Sequence, residues 1–171
     1  MDRFYRKIYF DIDGVPEEKE NIPEDIINNY LDFLIENQLF TNKEDFTYVK
    51  TTNYNSGKYK GLSFHIISTS HYMNMELFNK TLNAFIKSEQ GQQFKDYIDF
   101  SAYSQIRSFK LPNFIGIPIT NPENYHYLDP SSNNPEDYII TYLEDQRLIA
   151  GEFKVSKTKK KKVKKTSDDV E

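Results

Sequence analysis

The chain predicts an α+β fold with a largely antiparallel sheet. Three observations carry that reading. An aromatic and β-branched run near the start, residues 4–13, has strand composition and is broken by Gly14 and Pro16. Residues 46–52 and 61–68 are two further runs of this kind, joined by the turn-forming stretch Asn53-Tyr54-Asn55-Ser56-Gly57. Two helical stripes lie on either side of that hairpin, so strands and helices mix instead of alternating one for one.

Taken in order, residues 4–13 form the first strand and Glu17–Asn21 an exposed polar loop. Pro23-Glu24-Asp25 opens a helix, because proline and acids suit a first turn whose N–H groups lack partners. Ile26, Ile27, Tyr30, Leu31, Phe33, Leu34 and Ile35 give it a broad apolar stripe to about Gln38. The hairpin follows. Met75 to Ile86 is a second amphipathic helix, with Leu77, Phe78, Leu82, Phe85 and Ile86 inward and Asn74 at its cap. Short β or irregular segments are expected around Ile106 to Ile117, and a loop over residues 120–134. A last short helix starts at Asn134 and ends near Glu144.

At 171 residues the chain reads as one domain, with a core over residues 1–150 and a lysine-rich disordered tail over 151–171. Thirteen Tyr and thirteen Phe compensate for a hydrophobic content of only 37%. No 18-residue apolar run or signal-peptide pattern occurs, so neither a membrane partner nor export is expected. With no cysteine, disulfides, thiol nucleophiles and Cys-based zinc sites are excluded within it, which fits an intracellular protein. The net charge of −4 hides an asymmetry. Residues 154–171 hold eight of 22 basic and three of 26 acidic residues, leaving a body of 14 against 23, or −9. The tail suits a nuclear localisation signal, a polyanion tether or a solvated end.

Asp11 and Asp13 stand on one face of the first strand, because successive side chains alternate. Two carboxylates about 6–7 Å apart along a strand repel each other, and a divalent cation is the usual relief. The hairpin strand carries Ser63 and His65 on one face, and Asp99 lies downstream with Tyr103, Arg107 and Lys110 beyond it. Singly, each has an ordinary explanation: solvated acids, a core histidine, a capped turn, surface cations.

In this order, Phe10-Asp11-Ile12-Asp13, Ser63-Phe64-His65-Ile66-Ile67 and Ile98-Asp99 resemble the archaeo-eukaryotic primase superfamily, the PrimPol-like nucleotidyltransferases. The likeness is strongest to the primase domain of poxvirus and giant-virus primase–helicases. There the third acid leads into a D-x-x-x-Y segment with basic residues, here Asp99 to Tyr103 with Arg107 and Lys110. Asn134-Pro135-Glu136-Asp137-Tyr138 resembles a segment that follows the primase core. The resemblance covers roughly residues 6–145. It implies a primase-like, RRM-like sheet and template-directed nucleotidyl transfer with magnesium or manganese held by Asp11, Asp13 and Asp99. Ser63 and His65 would contact the incoming nucleotide's phosphates, with Arg107 and Lys110 as further triphosphate ligands; Lys58 and Lys60 are weaker candidates. Nucleoside triphosphates, a single-stranded DNA template and a helicase or other primase chain are the implied partners, in host cytoplasm or nucleus.

The chain departs from that pattern where arginine is usual at Lys110, and where lysines are usual at Gly116 and Gly61. It carries no Cys-rich zinc module, P-loop helicase region or extended segment before the first acid strand. An isolated or truncated module, or one needing a partner chain, would read this way. Phe10-Asp11-Ile12-Asp13-Gly14-Val15 also resembles the opening motif of haloacid-dehalogenase-type phosphatases. That fold needs successive β-α units. Ser68 or Thr69 could serve as its second motif and Lys87 as its third, but Asp96 and Asp99 make a poor fourth, and His65 and Arg107 are left without a role. The non-enzymatic alternative is a catalytically weak nucleic-acid-binding remnant.

Overall fold

The computed structural model describes residues 4–53, 61–100, 128–132 and 134–155. The opening run forms β1 (Tyr5–Val15), longer than its composition suggested. The first helix, α1, spans Ile22–Glu36 with Pro23 in its first turn. Gln38, at φ 61°, takes the left-handed conformation that turns the chain away, and Leu39 N–H closes the end on the Leu34 carbonyl. The hairpin is β2 (Tyr48–Asn53) and β3 (Leu62–Asn74). α2 spans Met75–Phe85, and the Asn74 side chain accepts from the Glu76 N–H as its cap. β4 (Leu128–Pro130) and β5 (Arg147–Ile149) complete the sheet.

The architecture is α+β, with strand order β1-β3-β2-β4 and every one of those pairs antiparallel. β5 runs parallel to the far end of β3, pairing His71 with Arg147 and Met73 with Ile149. Both helices cover one face. Phe10 of β1 meets Tyr30 of α1 edge-on at 5.5 Å and Phe78 of α2 at 6.0 Å. The buried Tyr30 hydroxyl bonds Thr81 Oγ1 across the two helices at 2.8 Å. By strand alternation, Asp11 therefore looks away from the helices.

Three stretches differ from the sequence reading. The third strand continues past Ser68 to Asn74 through an irregular step, after which Tyr72 to Asn74 pair with Tyr5 to Lys7. Ser68 Oγ makes that step tolerable by accepting from the backbone N–H groups of Ser70 and His71. Residues 128–130, expected in a loop, add to the open edge of β2, where Ser131 N–H bonds the Lys50 carbonyl at 2.9 Å. The expected helix from Asn134 is only a 3-10 turn, Pro135–Tyr138, though Asn134 does cap it. The chain leaves the turn at Ile139, whose backbone is extended (φ −90°, ψ 129°), and Lys7 N–H of β1 donates to the Ile140 carbonyl at 2.8 Å. The Lys7 side chain, 1% exposed, also donates from Nζ to the Glu136 carbonyl at 2.7 Å. The segments around Ile106–Ile117 lie outside the described residues. Phe153 packs on Phe33, so the chain still touches the core beyond residue 150. Among the described residues no helix is long and apolar enough to cross a membrane.

His71 gives the fold a pH signature. The residue is 4% exposed, its ring stacked on Phe46 at 5.7 Å and edge-on to Phe40 at 5.2 Å. Burial, reinforced by nearby Arg147 and opposed by Asp45, lowers its pKa below the ordinary imidazole value. A lowered histidine pKa means that the unfolded chain takes the proton first. The contribution is complete above about pH 6.5 and is lost as pH falls below it, at most about 1.4 kcal/mol per pH unit. Chemical denaturation of wild type and His71→Phe between pH 7.5 and 5 should show this extra slope only in the wild type.

Candidate metal and nucleotide site

The site begins with strand register. Asp11 pairs directly with His65, and Ile12 with Phe64, across β1 and β3. Residues opposite each other in an antiparallel pair share a face, so Asp11 and His65 stand side by side. His65 Nε2 lies 3.4 Å from Asp11 Oδ1. Ser63, two residues before His65, lies close enough to the Asp13 carboxylate for its hydroxyl to lower that group's pKa. Gly14, at φ 70°, then lets β1 slip register before Val15 pairs with Leu62.

Asp99 arrives from a distant part of the chain. Ile98 forms a bridge with Ile12, Asp13 N–H donates to the Tyr97 carbonyl and Asp99 N–H donates to the Asp11 carbonyl, both at 2.8 Å. This short antiparallel contact on the outer edge of β1 sets Asp99 opposite Asp11, hence on its face. One carboxylate oxygen from each of Asp11, Asp13 and Asp99 lies within 4.8 Å of the others. Asp11 is buried, and Asp13 and Asp99 are half-buried.

Burial first, then the Asp11 charge and more weakly that of Asp99, raise the Asp13 pKa above the usual carboxylate value. Ser63 and His65 pull it the other way. Three clustered carboxylates without a cation thus carry a real electrostatic cost. Their donor set is all oxygen, which suits hard cations such as magnesium or manganese. Their span matches the roughly 4–5 Å across the oxygen shell of one such ion. The residues present therefore fit a divalent cation.

Of the residues singled out from the sequence, Asp11, Asp13, Asp99, Ser63 and His65 come together on one face. Arg107, Lys110, Tyr103, Lys58 and Lys60 lie outside the described residues, as does the tail from residue 156. The departure at Gly61 has a local cause. Its φ is 117°, and a Cβ there would stand 2.6 Å from the Val15 carbonyl oxygen, so a lysine would not fit this backbone. Sequence reasoning missed Thr51, which β2 places directly opposite His65 on its other side. Only the register of the hairpin could have shown it.

No family model matches the chain, and no curated protein matches it significantly.

Proposed function

We propose that this chain is the catalytic core of a primase-type nucleotidyltransferase, extending primers on a single-stranded DNA template from nucleoside triphosphates. The observation that carries the reading is the meeting of Asp11, Asp13 and Asp99 beside Ser63 and His65 on one sheet face. The α+β, mainly antiparallel sheet is compatible with a primase-like core. The phosphatase alternative lacks such support, because β1 pairs antiparallel with β3 where successive β-α units would make parallel neighbours.

In the proposed reaction a 3′-hydroxyl oxygen attacks the α-phosphorus, and the bond to the departing pyrophosphate breaks. Asp11, Asp13 and Asp99 would hold magnesium or manganese, which when bound stabilises charge on the attacking and leaving oxygens. Ser63, whose hydroxyl lowers the Asp13 pKa, would steady that carboxylate. His65, whose side chain is 21% exposed, offers an imidazole at the rim of the acid cluster where phosphate oxygens would lie. The half-buried setting limits water around the reacting groups and strengthens these interactions.

The test is manganese-dependent nucleotide incorporation on a single-stranded template. Wild type should give template-dependent product. Asp11→Ala should fall to background, and His65→Ala by roughly 100-fold, the usual scale for losing one charge-stabilising donor. Phosphate release without incorporation, lost in Asp11→Ala but kept in His65→Ala, would point instead to the phosphatase. Cation binding with neither activity would indicate a remnant.

A further inference from the structure

Thr51 is the polar side chain that the fold leaves unexplained. It is 1% exposed, and its Oγ1 has no hydrogen-bond partner among the described residues. The other buried unpartnered atom among them, Glu24 Oε2, belongs to a carboxylate already held through Oε1 by Lys50 at 2.7 Å. A buried hydroxyl without a partner costs stability, which makes Thr51 Oγ1 a candidate for an interaction made only with a ligand bound.

Its position narrows that use. Thr51 pairs with His65 on one side and Pro130 on the other. Asp11, His65 and Thr51 therefore make one cross-strand row on the site face, with the imidazole in the middle. Neighbouring Cβ atoms in such a row lie about 4.5–5.5 Å apart, within reach of a hydroxyl-to-ring bond. The 3.4 Å between His65 Nε2 and Asp11 Oδ1 is longer than a well-formed N–H···O bond. A cation at the three acids would compete for that same carboxylate.

We infer that Thr51 is a positioning residue for His65: its hydroxyl takes the imidazole nitrogen facing away from Asp11 when the acid cluster is loaded. The inference rests on the nucleotidyltransferase reading.

The experiment compares wild type, Thr51→Val and Thr51→Ser. Thermal unfolding is measured without ligand, incorporation with magnesium and dATP on poly(dT), and the His65 ring nitrogens by ¹⁵N NMR with and without magnesium. Thr51→Val should melt at or above the wild-type temperature while its KM for dATP rises roughly tenfold. The magnesium-induced change at the His65 nitrogens should be altered in Thr51→Val and restored in Thr51→Ser. An active wild type with unchanged KM and ring shifts in Thr51→Val would overturn the inference and leave the activity standing. A wild type whose His65 and acid-cluster resonances ignore magnesium would overturn both. These two failures are distinct.

Discussion

Manganese at about one hundred times its dissociation constant is expected to raise the melting temperature of the wild-type chain by roughly 5–10 °C. Ligand at that excess adds about 2.7 kcal/mol to stability, and each kcal/mol moves a chain of this size by about 2–4 °C. Asp11→Asn should abolish the shift, because it keeps the side-chain shape but removes the charge at the centre of the cluster. Asp13→Asn should do something more specific. Asp13 carries a raised pKa because of burial, then Asp11, then Asp99. A carboxyl raised in the folded state costs stability above its unfolded value, near 3.9, and the cost fades as pH falls through the folded value. Without cation at neutral pH, Asp13→Asn should therefore melt above wild type; with manganese it should melt below it. At acid pH the cation-free advantage should shrink. The reversal of order separates a cation site from an accidental cluster of acids, for which manganese would leave the ranking unchanged.

Phe78→Ala should lower stability by about 3–5 kcal/mol, the usual cost of emptying a buried aromatic site, and melting by roughly 6–20 °C. Phe78 is buried at the centre of the aromatic cluster, with ring centroids 6.1 Å from Tyr9, 6.0 Å from Phe10 and 5.9 Å from Tyr30. It thereby joins α2 both to α1 and to the strand that carries Asp11 and Asp13. Phe78→Leu should lose much less, since the branched side chain fills more of the space. Phe4→Ala, at a half-exposed position, should be close to neutral. Thermal unfolding of the four proteins checks the ranking; a Phe78→Ala protein melting within a degree or two of wild type would show that the core is organised elsewhere.

Much of the site was legible in the chain because strand parity is a local property. Alternation put Asp11 with Asp13, and Ser63 with His65, before any pairing was known, and turn residues between 53 and 57 joined β2 to β3. The amphipathic stripes placed both helices, and Asn74 announced the start of α2. These features repeat every two or 3.6 residues and need only their own neighbourhood.

Long-range pairing is different, because it depends on which edge has unfilled N–H and carbonyl groups. Only the folded chain brings Asp99 to Asp11, through the Ile12–Ile98 bridge on the outer edge of β1. The same edge holds the Ile140 carbonyl just past the 3-10 turn that Asn134 begins, while the edge of β2 takes residues 128–130. Register likewise decided that Thr51 stands beside His65, and a shift of one residue would have turned its hydroxyl to the helices. The sequence by itself determined which residues share a face within each strand; tertiary structure decided which faces meet, because backbone hydrogen bonds between distant segments carry no local signature.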